Sequence, residues 1–217
     1  MGVKKVEIEV KPSADPGVKT STGMGVQVAG MGVQTTDIEG LVLLKPRVFE
    51  DPRGYFFESY SEERYDALLG RRVRFVQDNE SRSPRGVLRG LHYQKGDKAQ
   101  AKLVRVMEGK VWDVAVDLRP ESETFGRHFG VELTGENRLQ LFIPRGFAHG
   151  FVVLSDHALF GYKCDNYYAP EAEAGILWND PDLAIPWPLA PDEVILSAKD
   201  LRHPTFEQFI RTLSSQK

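Results

Sequence analysis

One strand-like stretch carries polar groups where an apolar run is otherwise fit for burial. In Val87-Leu88-Arg89-Gly90-Leu91-His92-Tyr93-Gln94, the interruptions are Arg89, His92 and Gln94. Polar side chains inside a barrel are costly unless they are paired or used on a ligand. An imidazole is the natural general base for removing a carbon-bound proton, provided a carboxylate fixes its tautomer and stabilises the imidazolium. The chain offers several carboxylates, and spacing does not choose among them. Lys102 heads the β-rich run Leu103-Val104-Arg105-Val106. It reads as a solvated edge lysine or as a cation that holds a carbonyl oxygen while negative charge develops there, an effect worth about 3 kcal/mol per donor. Tyr162 reads as a core tyrosine with its hydroxyl tied off, or as a weak acid giving a proton from the face opposite a histidine base. Cationic and imidazole groups on neighbouring strands point to an anionic or carbonyl-bearing ligand.

A second histidine, His149, closes Pro144-Arg145-Gly146-Phe147-Ala148-His149. The Pro-x-Gly-x-x-His pattern recurs in cupin barrels, where the histidine often binds metal. Such a site also needs a His-x-His pair and an upstream glutamate, and here His92 is followed by Tyr93-Gln94. Two histidines without the remaining ligands make a poor zinc or iron site. His128, His157 and His203 stand beside polar, loop-like residues and read as surface groups.

The elements that must position these residues are mostly strands. Leu41 to Leu44 stops at Pro46, and Tyr55 to Tyr60 follows an Asp51-Pro52-Arg53-Gly54 turn. Residues 61–69 read as a helix with a Ser59/Glu62 capping box and Gly70 at its end. Val104 to Leu118 reads as a hairpin turning at Glu108-Gly109-Lys110, with Trp112, Val114, Val116 and Leu118 on one face. Strands follow at 129–133, 139–143, 150–154 and 159–163. Thr205 and Gln208 predict a capping box for a last helix that buries Phe206, Phe209, Ile210 and Leu213 and covers an edge or end of the barrel. Short strands at this spacing predict an all-β sandwich or barrel. Residues 1–37 differ: Val6, Ile8 and Val10 alternate like a strand, and a Gly-, Ser- and Thr-rich stretch follows. They read as an N-terminal extension or β-arm, with one domain over 38–217.

The 217 residues, 41% hydrophobic, suffice for one full core. A net charge of −3 gives no reason to expect nucleic-acid binding. No apolar run approaches the ~18 residues that span a bilayer. The single cysteine, Cys164, excludes an internal disulfide and suits a reducing cytosol, so the expected location is cytoplasmic.

Several separated blocks resemble the dTDP-4-dehydrorhamnose 3,5-epimerase family over about residues 38–202. They are Phe49 to Gly54, Phe75 to Asn79, Val87 to His92, Ile143 to Phe151, Ile176 to Asp180 and Leu196 to Asp200. The resemblance implies a cupin-like jelly-roll β-barrel with short flanking helices, working without metal or other cofactor as a homodimer. It implies conversion of dTDP-4-dehydro-6-deoxy-D-glucose to dTDP-4-dehydro-L-rhamnose by inversion at C3 and C5. His92 matches the family's base, Asp200 its carboxylate partner, Lys102 the enolate-stabilising cation and Tyr162 the opposing acid. Arg53, Glu58, Gln77, Asn79, Arg89, His149, Tyr168, Glu173 and Lys199 match nucleotide-sugar positions. By the same analogy Tyr168 stacks on thymine and Arg53 reaches across from a second subunit. Residues 1–37 depart from the family pattern. A single-centre epimerase or ketoisomerase of another deoxysugar, and a non-catalytic nucleotide-sugar binder, are the competing readings.

Overall fold

Alternating side chains build two sheets whose inner faces share one core. The computed structural model describes residues 25–28 and 31–214; the strand expected at Val6 to Val10 lies outside them. The strands are β1 (Gly25–Val28), β2 (Met31–Thr35), β3 (Val42–Lys45), β4 (Phe49–Asp51), β5 (Gly54–Phe56), β6 (Gln77–Pro84) and β7 (Leu88–Gln94). After these come β8 (Lys102–Glu108), β9 (Lys110–Asp117), β10 (His128–Thr134), β11 (Gln140–Ile143), β12 (Phe147–Val153), β13 (His157–Cys164) and β14 (Glu173–Gly175). Two helices, α1 (Glu62–Leu69) and α2 (Phe206–Ser214), flank them.

One sheet runs β1-β2-β3-β11-β8-β13-β6, the other β10-β9-β12-β7-β14, and β4-β5 stands apart as a hairpin. Period-2 alternation sends every second side chain inward. On β8, Val104 and Val106 join the inner core while Leu103 packs outside. On β9, Val111 and Ala115 point in, and Trp112, Val114 and Val116 point out. The inner core is capped by Phe151 stacked on Phe160, ring centroids 4.1 Å apart. The whole is a cupin-like jelly roll, the expected all-β class.

Three local expectations need correction. Residues 104–118 are not a hairpin: β8 pairs with β11 and β13, whereas β9 pairs with β10 and β12, so the Gly109 turn carries the chain from one sheet to the other. Gly109 has φ 80°, and a Cβ there would lie 2.1 Å from the His157 carbonyl oxygen, so the crossing requires glycine. Helix α1 is entered from Ser61 without a side-chain cap. Ser59 instead uses its carbonyl, which accepts from the Tyr65 hydroxyl at 3.0 Å and Gln140 Nε2 at 2.9 Å. Helix α2 has the expected Thr205/Gln208 box, with bonds of 2.9 and 3.2 Å. It lies over the outer face of the five-stranded sheet, where Phe206 and Phe209 pack with Trp112 and Val116, rather than over an edge or end; Ile210 is exposed.

Candidate active site

An irregularity in β7 puts the polar residues of that strand on one wall. Opposite β12, His149 pairs with His92 and Phe151 with Arg89, so three steps on β7 match two on β12. This is the signature of a bulge. Leu88 and Leu91 consequently both join the outer core. His92 turns inward to line the cavity, and Arg89, an exposed residue, donates through Nε to Ser83 Oγ at 3.1 Å. Simple alternation would have set Arg89 and His92 on opposite faces.

His92, Gln94, Lys102, Tyr162, Gln77, Asn79, Tyr168 and Glu173 line one cavity of about 370 Å³, together with Tyr93 and Gln100. His92 stands on the five-stranded sheet, while Lys102 and Tyr162 stand on the facing seven-stranded one. His92 Nε2 meets Asp200 Oδ1 at 2.5 Å. Ser197 Oγ donates to Asp200 Oδ2 at 2.9 Å and accepts from the Asp200 N–H at 3.1 Å. Burial pushes the Asp200 pKa up, but the His92 and Ser197 bonds outweigh it and hold the carboxyl below its usual range.

Lys102 Nζ lies 5.8 Å from the centre of the Tyr162 ring. Burial pushes the Lys102 ammonium pKa down and the Tyr162 phenol pKa up. At the mouth, Tyr168 donates to Glu173 at 2.7 Å, and Lys199 pairs with the same carboxylate. Burial raises the Glu173 pKa, and those two partners bring it below the ordinary value. Gln77 bonds Asn79 at 2.9 Å and accepts the Tyr168 N–H at 2.9 Å.

His149 lies one layer deeper. It is buried, and its Nε2 meets Asp113 Oδ2 at 2.9 Å. Two residues stand elsewhere in the single chain. Arg53 is on the β4-β5 hairpin, its side chain 90% exposed and paired with Asp51, and Glu58 pairs with Arg64 at 3.2 Å. Of the histidines read as surface groups, His157 is partly exposed against Glu108 and His128 is half-buried. His203 is a correction: its side chain is 8% exposed, beside Asp200. Sequence reasoning also passed over Asp113. Its signal was available, since Asp113 falls in the inward phase of β9 between Val111 and Ala115.

Residues 35–208 match the dTDP-4-dehydrorhamnose 3,5-epimerase family. The chain is 53% identical to dTDP-4-dehydrorhamnose 3,5-epimerase from Salmonella typhimurium over 184 residues, 84% of this chain and 99% of that one. It is 56% identical to the enzyme of that name from Pseudomonas aeruginosa over 169 residues, 78% and 92% of the two chains. Among solved structures, the 3,5-epimerase from Legionella pneumophila in complex with dTDP-4-keto-L-rhamnose superposes with a TM-score of 0.81 at 51% identity, covering 84% of this chain and 96% of that one. A 3'-monoepimerase from Streptomyces bikiniensis in complex with dTDP-quinovose gives a TM-score of 0.75 at 34% identity, covering 81% and 88%. This chain therefore belongs to the dTDP-4-dehydrorhamnose 3,5-epimerase family.

Proposed function

We propose that the chain converts dTDP-4-dehydro-6-deoxy-D-glucose to dTDP-4-dehydro-L-rhamnose, and that His92, Asp200, Lys102 and Tyr162 carry the reaction. One arrangement supports this above all: a carboxylate-backed imidazole faces a half-buried ammonium and a phenol across a single cavity. His92 takes the proton next to the C4 ketone, and Asp200 stabilises the imidazolium that forms. Lys102 holds the C4 oxygen as it becomes an enolate, and its lowered pKa strengthens it as a donor. Tyr162, from the opposite sheet, returns a proton to the other face of the carbon and inverts it. Solvent then takes the proton from His92 and reprotonates Tyr162, and repeating the cycle at the second carbon α to the ketone completes the double inversion. The chemistry is proton transfer at both centres, so this chain's side chains suffice.

In this reading Gln77, Asn79, Arg89, His149, Tyr168, Glu173 and Lys199 hold the nucleotide sugar, with Tyr168 against the thymine. Arg53 and Glu58 serve from the edge, Arg53 across a homodimer. Exposed Phe49, Tyr55 and Phe56 on the same hairpin support a protein partner there. In the same proposal residues 1–37 are an N-terminal extension or β-arm of the epimerase domain, and the location is cytoplasmic, which the free, buried thiol of Cys164 suits.

The test is NMR of the substrate with the protein in D2O. Deuterium at C3 and C5 with an L-rhamno product is the expected result. Deuterium at one centre would assign a single-centre epimerase, and none would assign a binder.

A further inference from the structure

Gly175 on β14 is the register partner of His92, and its missing side chain makes room for another imidazole. A Cβ at Gly175 would lie 2.5 Å from Cε1 and Nε2 of His203. The His203 ring stands edge-on to His92, centroids 5.5 Å apart, with 8% of its side chain exposed. Its Nε2 is 3.4 Å from Asp200 Oδ1, the oxygen that already meets His92. Among the described residues this buried nitrogen has no aligned hydrogen-bond partner, a condition native structures rarely tolerate without a use. The nitrogens of His92 and His203 and the Asp200 oxygen lie within 4.8 Å of one another.

We propose that His92, Asp200 and His203 form a binding site for a divalent transition-metal ion, and that Zn2+ bound there stops turnover. Two imidazoles and one carboxylate are a zinc ligand set that leaves a fourth position for water. Bonds of about 2.0–2.1 Å imply ligand separations of about 3.3 Å in a tetrahedron. The 3.4 Å between His203 and Asp200 already matches that spacing. The His92–Asp200 pair, at 2.5 Å, has to open by under about 1 Å as the ion replaces the proton between them. Of the two cations beside the cluster in sequence, Lys199 is neutralised by Glu173 and Arg202 is exposed to solvent, and Lys102 stands on the facing sheet. His92 is 31% exposed and lines the cavity, which gives the ion a way in. Binding stands on geometry alone. Inhibition rests on the reading of His92 as the base, because zinc would take from it the carboxylate that stabilises the imidazolium.

The test titrates the chelator-treated full chain with ZnCl2 by calorimetry and with Co2+ alone by visible absorption. One site per chain and a tetrahedral cobalt spectrum are expected. His203→Phe should weaken zinc binding at least about tenfold, and Gly175→Ala, which displaces the ring, should do likewise. His157→Ala, away from the cluster, should keep wild-type affinity. Turnover should fall with the zinc-binding midpoint and return on adding EDTA, while EDTA leaves the untreated enzyme's rate unchanged. Absence of binding, or wild-type affinity in both His203→Phe and Gly175→Ala, would overturn the site and leave the epimerase reading intact. Zinc bound at His203 with full turnover would overturn the inhibition together with His92 as base.

Discussion

His92 Nε2 and Asp200 Oδ1 meet at 2.5 Å across 108 residues of sequence, and Ser197 fixes the other carboxylate oxygen. An amide in place of Asp200 cannot stabilise an imidazolium. Asp200→Asn should therefore lower turnover by about 10²–10⁴-fold with the fold retained. Near-normal turnover in that variant would dissolve the dyad.

Tyr162 and His92 reach the cavity from facing sheets. If one removes the proton and the other returns it, Tyr162→Phe should separate exchange from inversion. The variant should still wash deuterium into the sugar, since His92, Asp200 and Lys102 can form the enolate and return a solvent proton to the same face. It should make little L-rhamno product. Wild-type inversion by Tyr162→Phe would remove the phenol from the acid's role.

The buried His149–Asp113 pair predicts a stability effect. Burial lowers the His149 pKa, and the Asp113 carboxylate offsets only part of that shift, so it stays below the usual histidine value. His149→Ala strands that carboxylate in the core, which costs about 3–5 kcal/mol, a fall in Tm on the order of 10 °C for a chain of this size. Calorimetric melting checks it, and a Tm within about 2 °C of wild type would mean that water reaches Asp113.

Asp117 links the fold to pH. Burial raises its pKa, but bonds from Arg119, Ser122 and Thr124 outweigh this and hold it at about 2, against 3.8. Its folded-state pKa is depressed, so its contribution is fully present above pH 3.8 and is lost as pH falls toward about 2. Asp117→Asn should destabilise the protein at neutral pH by about 1–3 kcal/mol and flatten the acid limb of its stability curve. A variant with the wild-type slope between those pH values would refute the assignment.

What the sequence made legible was local or periodic. The Thr205/Gln208 box depends on residues three apart, and the outward face of β9 follows from alternation. The Gly109 turn was visible too, but whether it closes a hairpin or crosses between sheets is decided by partners from distant segments. His92 could be singled out because it is polar in an apolar strand, whereas its wall depends on a bulge visible only opposite β12. Asp200 came from the family resemblance alone. His203 was misread because its neighbours in sequence are polar, while its burial comes from the space above Gly175.

In the proposed reaction one base, His92, serves both carbons. The most direct measurement is deuterium incorporation at C3 and C5 by folded His92→Ala in D2O, followed by NMR beside the wild type. Exchange should fall at both centres together, by about 10²-fold or more. Wild-type exchange persisting at either carbon would contradict it.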